Sequence, residues 1–286
     1  MAKPTMNTFG DTQDRISKLF DKRLVLIVGA TRWGTAWVQQ CMDAHPDICA
    51  KGEGHFTDLL FPKIATAFDD YNSESDKIGN RLQLAGLPGN AAGYTFDDVD
   101  HVLKVAIGLA LDRWLDGRNP SCIVEKTPEH VLSLDLLMRV LPSACIIHVV
   151  RDGRDEAVSA WEFNLGISRG DFLKQFPNFS GFAEKFAQAW SRSIGAGRKF
   201  GRKNQARYLE IQSSDITTNP GRVAAALLDF AGVASTPETV QSCADTAWDI
   251  SPLDVEHGVW KTTFDAETHR LFLRHGGELI KLLNYD

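Results

Sequence analysis

Residues 29–37 combine a glycine-bounded turn with the start of a predicted helix. The preceding residues 24–28 are apolar at every position, as in a buried strand, and Gly29 and Gly34 bound the turn. Backbone N–H groups at the start of a helix are unpaired and lie at the positive end of the helix dipole. Arg32 adds a full charge inside the turn. The segment therefore predicts a binding site for a phosphate or sulfate group, with a ligand-free strand-to-helix turn as the alternative.

The glycine spacing matches the G-x-x-x-x-G-K-[ST] loop that binds nucleotide phosphates, but the next two positions differ. Thr35 stands where that loop has its lysine, and Ala36 stands where it has the hydroxyl group that ligates magnesium. Because Ala36 has no side-chain ligand, the turn is poorly suited to Mg-ATP chemistry. The sequence predicts an anion site that needs no metal ion.

Polar residues also follow the other predicted strands. Ligands of parallel sheets bind beyond the carboxyl ends of the strands. These positions carry Glu53, His55, Lys126 and Arg151, and Ser159 lies in the helix that follows Arg151. Arg151 and Ser159 are predicted to bind a second anion. The alternatives are an ion pair of Arg151 with a neighbouring aspartate and a serine hydroxyl that bonds within its own helix.

The alternation of apolar runs and helical patterns predicts an α/β fold. We expect a single domain, residues 1–286, with a central parallel sheet flanked by helices on both faces, because the first strand is apolar throughout. The strands are predicted at 24–29, 48–50, 121–126, 144–150 and 206–211, and the helices at 34–44, 131–140, 153–162, 181–200, 220–231 and 266–283.

Three segments stand outside this alternation. Residues 1–22 form a polar N-terminal extension, whereas 72–93 and 164–180 are rich in loop-forming residues and predict long irregular loops. Loops of that length in a compact domain usually either close over a ligand or are disordered. We therefore predict that the wider segments 57–95 and 162–182 contribute to a ligand-binding site.

Composition limits the function classes. The net charge of −6, from 31 basic and 37 acidic residues, argues against a broad nucleic-acid or anionic-membrane surface. The five cysteines contain no C-x-x-C pair and are expected to be buried free thiols. No apolar run approaches the roughly 18 residues of a membrane span, and the N-terminus lacks an apolar signal region. These features predict a cytoplasmic protein.

The chain resembles the sulfotransferases that use 3'-phosphoadenosine 5'-phosphosulfate (PAPS). Residues 29–37 (GATRWGTAW) are similar to the 5'-phosphosulfate loop of that family, and residues 147–159 (IHVVRDGRDEAVS) to its 3'-phosphate motif, with arginine and serine eight positions apart. Residues 52–56 (GEGHF) and 125–128 (EKTP) resemble the branch that modifies glycans and proteins and its bacterial relatives. The resemblance implies a P-loop-type fold and covers residues 24–283.

The resemblance also implies roles for individual residues. Glu53 is the implied general base, and His55 is the alternative base or a structural histidine. Lys126 faces the sulfate or the acceptor, with a salt bridge to Glu125 or Glu129 as the alternative. Residues 258–261 (GVWK) resemble the loop that closes over the 3'-phosphate. The implied PAPS-binding residues are Arg32, Gly34, Thr35 and Ala36 at the 5'-phosphosulfate, and Arg151, Ser159 and Lys261 at the 3'-phosphate. Arg32 is also implied to stabilise charge on the leaving side of the reaction. Trp37 is expected either near the adenine or in the core.

Three positions depart from the family pattern. Trp33 and Ala36 replace a serine and a threonine that are common in the family, so two hydroxyl donors are missing. A hydrogen bond to a charged group contributes roughly 1.5–3 kcal/mol, so PAPS affinity falls unless backbone N–H groups compensate. Ser213 stands where many members have a tyrosine that contacts the adenine.

Two other functions stay open from the sequence. One is an ATP-dependent phosphotransferase, which Thr35 and Ala36 disfavour; the other is a non-catalytic nucleotide-binding member, which the bulky Trp33 suggests. The expected acceptor is the hydroxyl group of a small molecule or glycan. The segments 57–95 and 162–182 are expected to form the acceptor site, and their few basic residues disfavour a highly anionic glycan. The oligomeric state is not indicated.

Overall fold

A computed structural model describes residues 8–30, 34–89, 93–250 and 257–285. Its centre is a parallel sheet of five strands in the order β2-β3-β1-β4-β5. Each strand coincides with a predicted apolar run, which confirms the predicted parallel sheet. The strands are β1 (Arg23–Gly29), β2 (Ile48–Gly52), β3 (Cys122–Lys126), β4 (Cys145–Val150) and β5 (Tyr208–Gln212).

Helices connect the strands and cover the sheet. Three short segments are not α-helical. Phe56–Leu60 is a π-helix, and Pro128–Ser133 and Gln205–Arg207 are 3-10 helices. The α-helices are α1 (Phe9–Phe20), α2 (Thr35–Asp43), α3 (Phe61–Leu84), α4 (Phe96–Leu115), α5 (Leu134–Val140), α6 (Gly153–Gln175), α7 (Phe179–Lys203), α8 (Ser213–Thr218), α9 (Pro220–Ala231), α10 (Pro237–Ile250), α11 (Trp260–Thr263) and α12 (Ala266–Leu282).

The sheet has a hydrophobic core on each face. Alternate residues of a strand point to opposite faces, and β1 shows this directly. Val25 and Ile27 pack with side chains of α2, α9 and α10. Leu24, Leu26 and Val28 pack on the other face with side chains of α4 and α5. The expected helical cover on both faces is confirmed.

The two predicted irregular loops are mostly helical. Helix α3 continues to Leu84 and α6 continues to Gln175. Within α3, all of which the structure describes, Gly79 is the one buried residue, so its many polar residues reflect an exposed helix and not a loop. In α6, Ser168 has non-helical dihedral angles (φ −145°, ψ 47°), which marks a kink. The loop prediction was therefore wrong for most of 72–93 and 164–180.

The N-terminal extension includes a packed helix. Thr8 caps α1 and forms a reciprocal capping box with Asp11, an arrangement that pairs otherwise orphaned N–H groups. Ile16 and Leu19 are buried, and Ile16 contacts Gly108 of α4 so closely that an added Cβ would lie 2.6 Å away. Residues 9–20 therefore belong to the folded domain.

Two composition-based expectations can be compared with the coordinates. All five cysteines are buried free thiols, as predicted. Within the described ranges, no helix combines the length and the apolar character needed to cross a bilayer.

Candidate active site

The carboxyl ends of four neighbouring strands meet at one edge of the sheet. Lys126, the last residue of β3, is level with Gly52 of β2 on one side and with Ile27 of β1 on the other. On the far side of β1, Gly29 is level with Val149 of β4. Adjacent strands lie about 4.8 Å apart. The described residues at or just after the strand ends are therefore side by side, in the order 53–55, 126–128, then 30 and 34, then 151–159.

The turn after β1 is shaped by two glycines with positive φ. Gly29 has φ 112° and Gly34 has φ 90°. A Cβ at Gly29 would lie 2.2 Å from the carbonyl oxygen of Val149, so another residue does not fit there. Ala30 N–H donates to that oxygen at 2.8 Å, which joins the start of the turn to β4.

Helix α2 begins directly after the turn. Val38 N–H donates to the Gly34 carbonyl at 2.8 Å, so the amides of residues 35–37 precede the first hydrogen bond of the helix. No side chain of a described residue caps this end. The helix therefore directs N–H groups toward the turn, as an anion site requires. Arg32 lies outside the described residues, as do Thr31 and Trp33, so its role stays a prediction.

The side chain of Trp37 belongs to the core. It is fully buried, and its ring centroid lies 6.1 Å from that of Trp248 in α10. This burial favours the core alternative for Trp37 over packing near an adenine. The backbone amide of Trp37 still lies in the first turn of α2, beside those of Thr35 and Ala36.

Arg151 follows β4 and is buried, with 3% of its surface exposed. Burial lowers the pKa of its guanidinium below the usual arginine value, and the nearby carboxylates of Asp155, Glu156 and Asp152 oppose that shift. Trp190 of α7 donates its indole N–H to the Arg151 carbonyl at 3.2 Å. These contacts fix Arg151 beside the anion turn. Ser159 lies in the second turn of α6 and is partly buried.

The two aspartates that sequence reasoning considered as partners of Arg151 have prominent contacts elsewhere. Asp152 forms a bidentate ion pair with Arg154, with its closest contact at 2.8 Å. Asp155 accepts hydrogen bonds from the amides of Gly258 at 2.8 Å and Trp260 at 3.1 Å.

Residues 257–261, here called the C-terminal strap, are thereby held against the start of α6. The Arg154 guanidinium lies 3.8 Å from the centre of the Trp260 ring, a cation–π contact. Lys261 lines a cavity of about 300 Å³ together with Asp155, Ser213 and Gly258. The structure thus brings Lys261 to the Arg151 side of the sheet edge. Sequence analysis missed Asp155 and Arg154, although both lie inside the arginine–serine segment.

On the opposite side of the anion turn, Glu53, His55 and Lys126 form one cluster. The Lys126 ammonium group contacts Glu53 Oε1. His55 Nε2 lies 3.2 Å from Glu53 Oε2, and His55 Nδ1 lies 2.8 Å from Asp58 Oδ2. The hydrogen bond to Asp58 is the main cause of a raised pKa at His55, and the charges of Asp58, Glu129 and Glu53 add to it.

The contacts of this cluster differ from the alternatives that the sequence suggested. The ammonium group of Lys126 pairs with Glu53 and not with a glutamate of its own segment. Asp58 was not predicted, although its spacing of three residues from His55 was a usable signal. The raised pKa favours the protonated form of His55.

A buried carboxyl group lies beneath this cluster. Glu125 is fully buried, and its Oε1 accepts hydrogen bonds from Gly54 N–H at 2.9 Å and from the Thr127 hydroxyl. Burial raises its pKa to about 7, although these hydrogen bonds oppose the shift. Its Oε2 lies 3.5 Å from Nε2 of the buried His130.

A second buried imidazole lies under the anion turn. His148 is fully buried in β4, and its Nδ1 lies 2.7 Å from the Tyr208 hydroxyl. Its Nε2 has no hydrogen-bond partner among the described residues. Burial lowers its pKa to about 4, so the ring is neutral at pH 7.

A mainly apolar cavity of about 160 Å³ borders the anion turn. Gly29 and Ala30 form part of its wall, as do Trp190 of α7, Glu129 after β3 and Glu156 of α6. Since the charge of Glu129 also affects His55, the cavity is close to the cluster of Glu53, His55 and Lys126.

The profile of the sulfotransferase family matches residues 25–237. The chain belongs to the sulfotransferase family. Among curated relatives of this family member, human protein-tyrosine sulfotransferase 1 is 32% identical over 136 residues, which are 47% of this chain and 32% of the relative. A protein from Aquifex aeolicus is 29% identical over 152 residues, which are 52% of this chain and 18% of the relative. The matched part therefore spans less than a third of either relative.

Solved structures share the fold of this sulfotransferase-family chain. A sulfotransferase from Mycobacterium avium has a TM-score of 0.56 at 14% identity. The superposition covers 97% of this chain and 81% of the Mycobacterium avium chain. A mouse sulfotransferase solved in complex with PAP has a TM-score of 0.51 at 13% identity. The superposition covers 95% of this chain and 90% of the mouse chain. These similarities confirm the predicted P-loop-type α/β fold.

Proposed function

We propose that this protein transfers a sulfuryl group from PAPS to an acceptor hydroxyl by in-line displacement. The observation that carries the proposal is the order of groups along the sheet edge. An anion turn stands at the centre, with Arg151 on one side and the paired Glu53 and Lys126 on the other. An in-line reaction needs this order: leaving group, transferred group, then nucleophile with its base.

The residues present fit the donor. The amides of residues 35–37 point from the start of α2 toward the turn, where the 5'-phosphosulfate would bind with Arg32 and Gly34. Arg151, Ser159 and Lys261 would hold the 3'-phosphate, because they follow β4 or lie in the strap held against α6. When bound, PAPS supplies the sulfuryl group and a bisphosphate leaving group. Sulfuryl oxygens carry less negative charge than a terminal phosphate, so we expect no requirement for magnesium.

Glu53 is the proposed base. Its carboxylate ends the row of strand-end residues and can accept the proton of an acceptor hydroxyl. His55 is less suited to that role, because the raised pKa keeps more of the imidazole protonated at a given pH. The imidazolium and the Lys126 ammonium both contact Glu53 and hold the carboxylate in place. Lys126 lies between Glu53 and the anion turn, where it can also contact sulfuryl oxygens.

The apolar cavity is the proposed entrance for the acceptor. Its volume of about 160 Å³ is similar to that of an engineered cavity of about 150 Å³ that binds benzene. The carboxylates of Glu129 and Glu156 in its wall disfavour an anionic acceptor. The hydroxyl of an uncharged small molecule or glycan fits these features. A peptide tyrosine is a second candidate, since the human relative is named a protein-tyrosine sulfotransferase.

Calorimetry tests donor binding. Adenosine 3',5'-bisphosphate should bind in the presence of EDTA, and ATP with magnesium should bind far more weakly. Replacing Arg151 with alanine removes a charged hydrogen-bond donor worth roughly 1.5–3 kcal/mol, so affinity should fall about 10- to 100-fold. Arg139→Ala is the matched control, because that arginine is more than half exposed and pairs with Asp100. Its affinity should equal the wild type.

Two results would overturn the proposal. Tighter binding of ATP with magnesium would favour a phosphotransferase. Binding of the bisphosphate without transfer of labelled sulfate from PAPS to any member of a phenol, alcohol, sugar and tyrosyl-peptide panel would favour a non-catalytic protein.

A further inference from the structure

Glu125 is buried beneath the residues that are proposed to act in the reaction. Its side chain is fully buried, whereas the side chains of Glu53 and His55 are about one-third exposed. A fully buried carboxyl group cannot touch an acceptor in the cavity or a donor on the anion turn. Any effect of Glu125 on the reaction must therefore act through the residues that it contacts.

Its contacts hold the backbone of the loop that carries the proposed base. Oε1 of Glu125 accepts the Gly54 N–H at 2.9 Å, between Glu53 and His55. The hydroxyl of Thr127 donates to the same oxygen, and Thr127 Oγ1 accepts the His55 N–H at 3.3 Å. Two consecutive amides are thus fixed to one carboxyl group, directly or through one hydroxyl. His55 needs such support, because its φ of 47° lies in the left-handed region.

The other oxygen of Glu125 faces an imidazole that contacts the next two residues of the loop. Oε2 of Glu125 lies 3.5 Å from Nε2 of His130, and neither atom has a hydrogen-bond partner among the described residues. Nδ1 of His130 lies 2.8 Å from the Thr57 hydroxyl. The His130 ring also stacks on Phe56, with centroids 6.1 Å apart. Residues 54–57 all contact Glu125 or one of its immediate partners. The loop therefore rests on a buried polar cluster, and its two exposed acid–base side chains project from it.

We infer that Glu125 is a positioning residue, which aligns Glu53, His55 and Asp58 by binding the backbone between them. The inference rests on the proposed function, because alignment of that base matters only if the base acts. It adds a role for a residue that does not touch substrate. The required chemistry at position 125 is a hydrogen-bond acceptor, and the negative charge is not required. Glutamine can supply that acceptor, and leucine cannot.

The titration of His55 reports this alignment. Its pKa is raised by the hydrogen bond to Asp58 and by the charges of Asp58, Glu129 and Glu53, so the shift depends on the loop geometry. NMR of protein with ¹⁵N-labelled histidine rings gives the titration directly, with His55→Gln identifying the signal. In the wild type, His55 should titrate above its ordinary value of 6.5. Glu125→Leu should remove at least half of that elevation, and Glu125→Gln should keep it.

Two controls separate positioning from general damage. Adenosine 3',5'-bisphosphate should bind to the wild type, Glu125→Gln and Glu125→Leu with affinities within twofold, because the hydrogen bonds of Glu125 go to Gly54 and Thr127 and to none of the described residues of the anion turn. Glu278→Leu, at an exposed position of α12, should leave the His55 titration unchanged. If Glu125→Leu does not fold, Thr127→Val replaces it. That variant removes the hydroxyl between Glu125 and the His55 amide and should lower the His55 pKa in the same direction.

Several outcomes would overturn the inference. They are a wild-type His55 pKa at or below 6.5, a folded Glu125→Leu or Thr127→Val variant with the wild-type titration, or a Glu125→Gln variant that shifts as much as the leucine variant. Loss of bisphosphate binding in a folded Thr127→Val variant would indicate a general structural role. Failure of the wild type to bind the bisphosphate would refute the proposed function and leave the His55 result intact, so the two failures are distinguishable.

Discussion

Replacing Glu125 with glutamine should make the protein progressively more stable, relative to the wild type, as pH rises. The side chain is fully buried, and burial raises its pKa from 4.5 to about 7. The folded state therefore binds this proton more tightly than the unfolded state does. Proton binding by Glu125 therefore stabilises the folded wild type fully below pH 4.5, and this stabilisation is lost as pH rises through 7. A tenfold change in an ionisation constant is equivalent to about 1.4 kcal/mol, so the loss amounts to about 3 kcal/mol.

Glutamine keeps the acceptor for Gly54 and does not ionise. The free energy of unfolding of Glu125→Gln minus that of the wild type should therefore increase by about 3 kcal/mol over the full range, mostly between pH 5 and pH 8. Urea denaturation at intervals across this range measures the difference. Burial lowers the pKa of His148 to about 4, so protonation of this residue destabilises the folded state at acid pH. That contribution is the same in both proteins and cancels in the difference between their free energies of unfolding.

The control for this experiment is Glu278→Gln, an exposed carboxylate on α12. Exposed substitutions usually change stability by less than about 0.5 kcal/mol, so its difference from the wild type should not depend on pH. A Glu125→Gln difference that is the same at pH 5 and pH 8, or larger at pH 5, would refute the argument that Glu125 is held with a raised pKa.

Three further substitutions test the anion turn, the core and the strap. Gly29→Ala places a Cβ 2.2 Å from the Val149 carbonyl, so the melting temperature and bisphosphate affinity should both fall; a variant with wild-type values would contradict the described turn. Trp37→Ala should lower the free energy of unfolding by about 3–5 kcal/mol, as for other buried aromatic residues, and a loss below 1 kcal/mol in urea denaturation would be inconsistent with a core position. Trp260→Ala removes the cation–π contact with Arg154, worth about 0.5–2 kcal/mol, so bisphosphate affinity measured by calorimetry should fall roughly 2- to 30-fold; unchanged affinity would show that the strap does not cover the nucleotide.

The sheet could be predicted because its central strands β1 and β4 are apolar at nearly every position. Val25 and Ile27 pack on one face of the sheet and Leu24 and Leu26 on the other, so continuous apolarity was a direct sign of cover on both faces. The long polar helix α3 could not be predicted in this way. Its hydrophobic contacts are few, and its Asn, Ser and Asp residues are equally compatible with a loop.

The candidate site was predictable as a set of strand ends, but its pairings were not. Sequence analysis placed Glu53 and Lys126 after strands without showing that β2 and β3 are neighbours. The register that sets Gly52 level with Lys126 determines their contact. The position of Trp37 was ambiguous for the related reason that helical spacing does not show which face of α2 meets the core. Contacts such as that of Asp155 with Gly258, 103 residues apart, leave no local signal.

The surroundings of Arg151 show why local charge spacing was ambiguous. Asp152 and Asp155 are near it in sequence, and their charges act on its pKa, so an ion pair was a reasonable alternative to a phosphate site. The structure gives each aspartate a further partner: Arg154 binds Asp152 through two nitrogens, and the strap amides converge on Asp155. The same acidic residues that suggested a neutralised arginine therefore fix α6 and the strap around it. A phosphate at this position would meet a buried guanidinium whose neighbouring carboxylates are already hydrogen-bonded, which is the arrangement that the Arg151→Ala calorimetry examines.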